Sequence, residues 1–289
     1  MPPHIRRHYR LELPRGVLEL GPRTLVMGIL NVTPDSFSDG GLFLEPERAV
    51  ARAWQIADEG ADILDIGGES TRPGSQGVSS EEELKRIVPV LDALKGKYPL
   101  PISIDTSKPE VAHAALQRGA SMVNDVTGLN IGTGLAREAA SAGAALVLMH
   151  MRGTPRNMQE IPPSPAILCE IEMWAEEAVA QARSCGVSSD KIILDPGIGF
   201  GKTARQNLEI LRSLDRLAEA GFPLLVGTSR KSFIATVLGG PPSDRIWGTA
   251  ASVAASVIYG AHIVRVHDVA AMRDVARTAD AIIADPFSG

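Results

Sequence analysis

Polar side chains recur at regular places in this chain of 289 residues, each directly after a short apolar run. Asp105, Asn124 and Asp195 are three of them, and all carry short groups that accept hydrogen bonds. Groups of this kind suit the edge of a polar heterocycle that presents N–H donors. A single aspartate in such a place is as readily explained by a helix cap or a salt bridge. The repetition of the pattern along the chain favours a binding site instead.

Cationic side chains occupy similar places, although the chain as a whole is acidic, with a formal charge of −5. Lys231 lies just past the seventh apolar run, Arg265 lies within the eighth, and His267 follows it. Positive charge collected on an acidic protein indicates an anionic ligand. Asn31, which follows the first run near Asp35, could help to hold a hydrated Mg²⁺, a cation that prefers oxygen ligands, including those of substrate phosphates. The two sets predict a pocket for a flat nitrogen heterocycle attached to a phosphate group.

Eight apolar runs carry or precede these residues, and their starts are spaced by about 34 residues, enough for a strand, a helix and two loops. The runs are Leu25–Leu30, Asp62–Ile66, Pro101–Ile104, Ser121–Val123, Ala144–Met149, Lys191–Leu194, Pro223–Val226 and His262–Val266. Near-continuous apolar runs are typical of parallel strands buried on both faces. Their alternation with helical patterns predicts an α/β protein with the (β/α)8 architecture of a TIM barrel. A doubly wound open sheet is the alternative, because periodicity does not tell whether the sheet closes.

Both architectures bind ligands at the carboxyl ends of their strands, where the polar residues are found. The polar residues should therefore gather on one rim of the sheet. Between the strands, one helix face is predicted by the apolar spacing of Leu208, Leu211, Leu214 and Leu217. Three capping boxes predict helix starts, namely Ser80 with Glu83, Ser107 with Glu110, and Thr203 with Gln206.

Residues 1–24 precede the first run and predict a separate small element. Tyr9–Leu13 and Val17–Leu20 flank a Pro-Arg-Gly turn, a pattern typical of a β-hairpin. We expect this N-terminal β-hairpin to cover the bottom of the barrel. No linker or low-complexity segment divides the chain, so we expect residues 1–289 to form one domain.

The composition argues against several classes of partner. No basic stretch is longer than Arg6-Arg7, which disfavours binding to nucleic acid. The chain lacks a run of about 18 apolar residues and an apolar signal segment, so we expect no membrane association. Cys169 and Cys185 flank one predicted helix, too far apart for a disulfide. With so few cysteines, we expect a cytoplasmic protein.

The segment Gly197–Thr203 ends like a phosphate-binding loop but matches neither common pattern. The first glycine of a P-loop would fall on Pro196, and the third glycine of a dinucleotide-binding motif would fall on Lys202. Thr203 is better explained as a helix cap, and the glycines as positions where the backbone turns sharply past the pocket. We therefore expect no nucleotide binding by this segment.

Taken in order, eight motifs of this chain resemble those of the dihydropteroate synthase family. They are MGILNVTPDSFSDGG, DIGGESTRPG, SIDTSKPEVA, VNDV, MHMRGTPRNMQ, DPGIGFGK, GTSRKSF and RVHDV, and together they span most of the chain, from Met27 to Val269. The resemblance implies a (β/α)8 barrel that joins 6-hydroxymethyl-7,8-dihydropterin pyrophosphate to p-aminobenzoate and releases pyrophosphate. It also implies Mg²⁺ as the cofactor, a homodimer, and sulfonamides as inhibitors.

The resemblance further implies roles for particular residues. The pterin would be bound by Asp105, Asn124, Asp195, Lys231 and Arg265. The pyrophosphate would be held by Asn31, Thr71, Arg265 and His267, with Asn31 also reaching the metal. The p-aminobenzoate site would consist of Phe37, Thr71, Arg72, Pro73, Phe200 and Ser232.

The implied chemistry needs no strong general base, because an aniline nitrogen is a neutral nucleophile. Loss of pyrophosphate is the difficult step, so we expect electrostatic stabilisation of the leaving group by Mg²⁺, Arg265 and His267 to dominate. Asp105 could stabilise positive charge that develops on the methylene carbon. We expect Asp105, Arg265 and His267, together with Lys231, to be the catalytic residues.

Two other functions remain open at this point. A methyltetrahydrofolate-dependent corrinoid methyltransferase has a similar barrel and pterin pocket but needs neither a pyrophosphate clamp nor a p-aminobenzoate loop. A pterin-binding homologue without catalysis would keep the same rim of polar residues. The oligomeric state is also open from the residues alone, because the nearly all-apolar helix Gly248–Tyr259 could pack within the chain or against a partner.

Overall fold

The computed structural model describes residues 6–33, 45–70, 75, 77–154, 156–158, 160–239 and 245–284. Its first element is an antiparallel hairpin of β1 (Tyr9–Leu13) and β2 (Gly16–Leu20). The predicted N-terminal hairpin is therefore confirmed, with its second strand beginning one residue earlier than expected.

Eight parallel strands and the helices between them follow the hairpin. The strands are β3 (Leu25–Asn31), β4 (Ile63–Gly67), β5 (Ile102–Asp105), β6 (Met122–Asp125), β7 (Ala145–Met149), β8 (Ile192–Asp195), β9 (Leu225–Val226) and β10 (Ile263–Val266). The helices are α1 (Glu45–Asp58), α2 (Ser80–Leu94), α3 (Pro109–Gln117), α4 (Gly134–Ala142), α5 (Ile167–Ser184), α6 (Ala204–Leu211), α7 (Leu214–Ala218), α8 (Ser232–Leu238), α9 (Ile246–Ile258) and α10 (Val269–Ala284). Each predicted apolar run coincides closely with one of the eight strands.

The eight strands close into a cylinder. Neighbouring strands follow the order β8-β7-β6-β5-β4-β3-β10-β9, and a parallel bridge between Leu194 and Leu224 joins β8 to the residue before β9. At the same place the Leu194 N–H donates to the Pro223 carbonyl oxygen at 3.0 Å. The predicted barrel is confirmed, and the open doubly wound sheet is wrong.

Two layers of apolar side chains stabilise the cylinder. One layer lies between the strands and the surrounding helices, and the other fills the interior with side chains such as Met27, Met122 and Ile263. Leu11 and Leu20 of the hairpin are fully buried and belong to the inner layer. The hairpin therefore covers the end of the barrel where the strands begin, as predicted. The hairpin does not cover the opposite end of the barrel, where the strands finish and where a ligand-binding site is expected.

The predicted helix starts are only partly correct. Thr203 and Gln206 form the expected capping box at α6. At α2 the cap is Ser79, which accepts from the Glu82 N–H, so the box predicted from Ser80 is wrong by one residue. At α3 the box predicted from Ser107 is wrong, because Pro109, with its fixed φ, occupies the first turn and no side chain caps it.

The single helix face predicted from Leu208 to Leu217 is also wrong. Ser213, at φ −126°, leaves the helical conformation and separates α6 from α7. Leu214 and Leu217 are buried, whereas the Leu208 side chain is 43% exposed. The buried face of α6 is formed by Gln206, Asn207, Ile210 and Leu211, and Leu208 does not belong to it.

Helix α9 covers most of the segment Gly248–Tyr259 and packs against α10 of the same chain. Val253 and Val257 of α9 are buried, and the Ser256 hydroxyl donates to the Ser252 carbonyl oxygen at 2.7 Å. Packing within the chain therefore accounts for this face. In the part of the chain that the structure describes, no helix has both the length and the hydrophobicity to cross a membrane.

Candidate active site

The register of the sheet places the carboxyl ends of strands β3, β4, β5 and β6 at the same level of the barrel. Asn31 is opposite Gly67, Gly67 is opposite Asp105, and Asp105 is opposite Asn124. A side chain added at Gly67 would lie 3.5 Å from Asp105 Cβ and 3.8 Å from Asn31 Oδ1, so these two groups face the same space. The predicted gathering of Asn31, Asp105 and Asn124 on one rim is therefore observed.

Arg265 of β10 is the centre of a buried network at this rim. Its Nε donates to Asp65 Oδ2 and its Nη2 donates to Asp105 Oδ2, both at 2.6 Å. Asn124 Nδ2 also donates to Asp65 Oδ2, at 3.1 Å. Side chains from β4, β5, β6 and β10 are thereby joined into one unit, with the two carboxylates held close together by a single guanidinium.

Asp65 was not among the residues predicted for the site. It lies in the middle of β4, whose sequence is ILDIG, and its side chain is fully buried. A carboxylate inside an apolar strand costs free energy unless it is paired, so its presence was a usable signal. It is needed here because it accepts from both Arg265 and Asn124.

The electrostatics of Asp105 favour a ligand that donates hydrogen bonds. Burial raises the pKa of Asp105 to about 7, against the opposing effect of Arg265 and with a further contribution from Asp65. Its Oδ1 is buried and has no hydrogen-bond partner among the described residues. Buried carboxylate oxygens are rarely left in this state. The free oxygen therefore marks a place where a ligand N–H could bind.

Asp195 supplies a second acceptor at the end of β8. Its Oδ1 accepts from the Gly197 N–H at 2.7 Å, and burial raises its pKa to about 6, with Lys231 acting in the opposite direction. The bond from Gly197 fixes the plane of the carboxyl group. The other oxygen is not used by Gly197 and can accept from a ligand.

Lys231 and Phe200, which the resemblance assigns to the pterin and p-aminobenzoate sites, lie together. The Lys231 Nζ is 3.9 Å from the centre of the Phe200 ring, a cation–π contact. Burial lowers the pKa of Lys231 to about 8, while the nearby carboxylates Asp195 and Asp105 oppose the shift. This ammonium is therefore placed to bind an anion or a polar ring edge, with an aromatic surface beside it.

His267 is held by Ser229, a residue that the sequence analysis did not single out. Ser229 Oγ accepts from the His267 backbone N–H at 3.2 Å and lies 2.9 Å from His267 Nδ1. The direction of this second hydrogen bond depends on which ring nitrogen carries the hydrogen. Burial, with Arg265 and Arg230 nearby, lowers the pKa of His267 to about 3. The expectation that His267 adds positive charge near neutral pH is wrong; it is a neutral hydrogen-bonding group.

The remaining predicted residues differ in what can be said of them. Ser232 is exposed at the first turn of α8, directly after Lys231. The other p-aminobenzoate candidates, Phe37, Thr71, Arg72 and Pro73, lie outside the described residues.

The glycines after β8 turn the backbone sharply, as expected, and allow a close approach. Gly197, Gly199 and Gly201 have φ values of 67°, 86° and 66°, a region that side chains disfavour. A Cβ at Gly197 would lie 1.9 Å from the His150 carbonyl oxygen, and one at Gly199 would lie 2.9 Å from Lys231 Cδ. The loop is therefore confined between the end of β7 and the site.

The burial of Asp195 predicts a measurable dependence of stability on pH. Because its pKa is raised from 3.8 to about 6, the ionised carboxyl destabilises the fold above pH 6, and this penalty disappears as the pH falls towards 4. Relative to an Asp195→Asn variant, the wild type should gain up to about 3 kcal/mol between pH 7 and pH 4. Denaturant unfolding of both proteins across this range measures the difference. Parallel pH profiles would contradict the assignment.

A separate groove lies on the outside of the barrel between α5 and α7. It has a volume of about 520 Å³ and an apolar floor that includes Ile171, Val179, Leu217 and Leu224. None of the predicted site residues lines it. The groove and the rim of polar residues are therefore different features of the molecule.

The chain is also similar in sequence and in fold to proteins of known function. The family model described as pterin binding enzyme matches residues 27–267. The dihydropteroate synthase of Synechocystis sp. is 49% identical over 273 residues, which cover 94% of each chain. The solved structure of Xanthomonas albilineans dihydropteroate synthase with 4-aminobenzoic acid is 42% identical, with a TM-score of 0.90 over 97% of this chain and 100% of the other. That of the Yersinia pestis dihydropteroate synthase in complex with a sulfonamide drug is 39% identical, with a TM-score of 0.89 over 96% and 99% of the two chains.

Proposed function

The chain belongs to the dihydropteroate synthase family of pterin-binding enzymes, and we propose on this premise that it makes 7,8-dihydropteroate. It would join 6-hydroxymethyl-7,8-dihydropterin pyrophosphate to p-aminobenzoate and release pyrophosphate. The group transferred is the pterin methylene unit, so we propose that the enzyme is a transferase of alkyl or aryl groups other than methyl. One observation carries the proposal, namely the buried unit that Arg265 forms with Asp65 and Asp105. Its carboxylates are acceptors for ring N–H groups, and its guanidinium is a cation for an anionic leaving group.

We propose that the pterin ring binds among the strand ends. Asp195 would accept from the pterin amino group and a ring N–H, since one of its oxygens is not engaged by Gly197. The unpartnered Oδ1 of Asp105 offers a second acceptor. Asn124 would bind the ring beside Asp105, and Lys231 would reach its polar edge. The support for this assignment is that Asp105 and Asn124 are opposite each other in the sheet and that Lys231 lies close enough to both Asp105 and Asp195 for their carboxylates to affect its pKa.

The second substrate would bind where Lys231 meets Phe200. The aromatic ring of p-aminobenzoate could pack on Phe200, with its carboxylate directed towards Lys231 and the exposed Ser232. Phe37, Thr71, Arg72 and Pro73 are proposed to complete this site on the evidence of the sequence alone. The relative from Xanthomonas albilineans binds 4-aminobenzoic acid, and the relative from Yersinia pestis binds a sulfonamide. A sulfonamide should therefore compete with p-aminobenzoate here.

In the proposed reaction, the aniline nitrogen forms a bond to the pterin methylene carbon while the bond from that carbon to the pyrophosphate oxygen breaks. The nitrogen then loses one proton, and the electron pair of the broken bond leaves with pyrophosphate. Arg265 and neutral His267 would stabilise the charge that collects on the leaving oxygen. Asp105, held 2.6 Å from Arg265, would stabilise the opposite charge on the carbon.

We propose Mg²⁺ as the cofactor, with Asn31 as its protein ligand. In the described ranges no cluster of three or more histidine, cysteine, aspartate or glutamate side chains could hold a metal by itself. A Mg²⁺ ion can take an amide oxygen from the protein and most of its other ligands from substrate phosphate and water. Such an ion would neutralise charge on the pyrophosphate.

Loss of the Asn31 amide should raise the Mg²⁺ requirement. We expect Asn31→Ala to increase the Mg²⁺ concentration for half-maximal activity by about tenfold, the range found when supporting groups of a metal site are removed. Titration of pyrophosphate release with Mg²⁺ measures this value. Asn130→Ala, at an exposed asparagine beyond the end of β6, is the matched control. Equal Mg²⁺ titration curves for the two variants would reject Asn31 as a ligand.

We propose that the protein is a homodimer, through an apolar surface formed by the end of α8 and the start of α9. Four side chains contribute to it, and all are exposed: Val237, Leu238, Ile246 and Trp247. The two helix ends adjoin, since a Cβ at Gly248 would lie 3.0 Å from Leu238 Cδ1. The Trp247 side chain is 79% exposed, and exposed apolar patches mark association sites.

Trp247→Lys should convert the dimer into a monomer at micromolar concentration, because it places a charge in the centre of an apolar contact. Sedimentation velocity measures the two species. Met173→Lys, at a 64% exposed side chain of α5, is the control and should stay dimeric. A wild-type protein that sediments as a monomer would overturn the proposal.

We propose that the protein works in the cytoplasm. Cys169 and Cys185 are both free thiols, which is the usual state in a reducing compartment.

A pyrophosphate-release assay tests the proposed function. With dihydropterin pyrophosphate and Mg²⁺, release should require p-aminobenzoate and should be inhibited competitively by a sulfonamide. Binding of the pterin without release in the complete mixture would indicate a homologue without catalysis. Methyl transfer from methyltetrahydrofolate to a corrinoid would indicate the methyltransferase instead.

A further inference from the structure

Lys202 folds back over the loop to which it belongs and has no part in the mechanism above. Its Nζ donates to three carbonyl oxygens, those of Gly197 at 2.9 Å, Phe200 at 3.1 Å and His150 at 3.1 Å. A lysine ammonium has three N–H donors, so these carbonyls can use all of them. Burial lowers the pKa of Lys202 to about 7, and the nearby Asp195 opposes that shift.

The backbone contacts of this loop explain why the three hydrogen bonds from Lys202 are needed. A Cβ at Gly201 would lie 2.5 Å from the Arg152 carbonyl oxygen, so the loop meets the segment after β7 backbone to backbone. Glycine-rich backbone loses more conformational entropy on ordering than any other, and side-chain packing at these positions cannot offset the loss. Lys202 bonds to carbonyls on both sides of the contact, because His150 directly follows β7 while Gly197 and Phe200 lie in the loop.

The same loop contacts two groups of the proposed active site, Asp195 and Lys231. The Gly197 N–H orients the Asp195 carboxyl group at 2.7 Å. The Phe200 ring lies 3.9 Å from the Lys231 Nζ and packs beside the buried Met149 and Met151. A displacement of the loop backbone would therefore move an aromatic surface of the site, although Lys202 itself contacts neither proposed substrate position.

We propose that Lys202 is a positioning residue for p-aminobenzoate binding, which fixes the loop of residues 197–201 so that Phe200 stays beside the Lys231 ammonium. This inference rests on the proposed function, because it assigns the Phe200–Lys231 contact to the second substrate. It gives the lysine of the GFGK motif a role other than the phosphate binding that the motif superficially suggests.

The test compares Lys202→Met with Lys191→Met. Methionine keeps much of the length of lysine but has no N–H donor. Lys191 is a matched control, because its Nζ also donates to a backbone carbonyl, that of Gly143 at 2.6 Å, but before β8 at the other end of the barrel. Lys202→Met should raise the KM for p-aminobenzoate about tenfold, the effect of losing one good interaction, with a smaller change in kcat. Lys191→Met should leave KM unchanged.

A double variant separates positioning from a general loss of stability. If Lys202 acts through Phe200, Lys202→Met should raise the KM little further in a Phe200→Leu background, because coupled residues are not additive. Lys202→Gln, which keeps two N–H donors, serves if the methionine variant does not fold and should raise the KM less than tenfold. An unchanged KM for p-aminobenzoate in folded Lys202 variants, or fully additive effects with Phe200→Leu, would overturn the inference. Failure of the wild type and of Lys191→Met to release pyrophosphate would instead count against the proposed function.

Discussion

Arg265→Ala should lower the rate of pyrophosphate release by about 10² to 10³-fold, the usual effect of removing a group that stabilises a developing anion. The variant loses the proposed partner of the leaving group. It also leaves Asp65 and Asp105 without the guanidinium that lies 2.6 Å from each. Two neighbouring buried carboxylates would then repel each other, and one would take up a proton. The rate effect should therefore be accompanied by a loss of stability of about 3 to 5 kcal/mol.

Steady-state kinetics at a temperature where the variant is folded separates the two effects. Arg265→Lys should restore part of the stability but little of the rate, because a point charge cannot replace a planar fork that donates to two carboxylates. Arg23→Ala is the matched control, since Arg23 also donates twice to a carboxylate, that of Asp62, at the opposite end of the barrel. Its guanidinium is exposed, so less than about 1 kcal/mol of stability and no activity should be lost. Near-normal turnover of folded Arg265→Ala would show that Arg265 does not stabilise the leaving group.

Asp195→Asn should weaken the binding of dihydropterin pyrophosphate by about a hundredfold or more. The N–H donors of the pterin would then face the NH2 group of an amide instead of a carboxylate oxygen that accepts from them. The asparagine oxygen can still accept from the Gly197 N–H, which keeps the side chain in place. The other atom becomes an NH2 group that faces the pterin N–H groups. The loss should appear in the dissociation constant, measured by calorimetric titration without p-aminobenzoate.

Asp125→Asn is the control for this experiment. Asp125 is also a buried carboxylate at a strand end, but it accepts from the backbone N–H groups of Thr127 and Leu129 in its own loop. Its substitution should lower stability and leave the affinity for the pterin unchanged. Equal dissociation constants for wild type and Asp195→Asn would show that this carboxyl group does not bind the ring.

Much of the fold could be predicted because its main signal is local. Each buried strand is a short apolar run, and the polar residue that ends it, such as Asp105 or Asp195, marks the rim directly. The hairpin was predictable for the same reason, since its alternating leucines bury one face against the barrel interior. The cap at α2 was displaced by one residue because Ser79 and Ser80 are chemically equivalent, and only the backbone decides which of them precedes the helix.

Other parts of the site depend on contacts between distant segments. Ser229 matters only because the loop after β9 brings its hydroxyl to His267 at the end of β10, and no local pattern announces this. The neutral state of His267 follows from burial next to Arg265, which the sequence does not specify. Asp65 could have been found, because a carboxylate within ILDIG needs a buried partner, but the partner itself lies 200 residues away.

The most direct measurement is a crystal structure of the protein with 6-hydroxymethyl-7,8-dihydropterin pyrophosphate. We expect the pterin ring within hydrogen-bond distance of Asp105, Asn124 and Asp195, with its pyrophosphate next to Arg265 and His267. A ligand bound elsewhere, for example in the groove between α5 and α7, with the rim left empty, would contradict the claim that these strand ends form one active site.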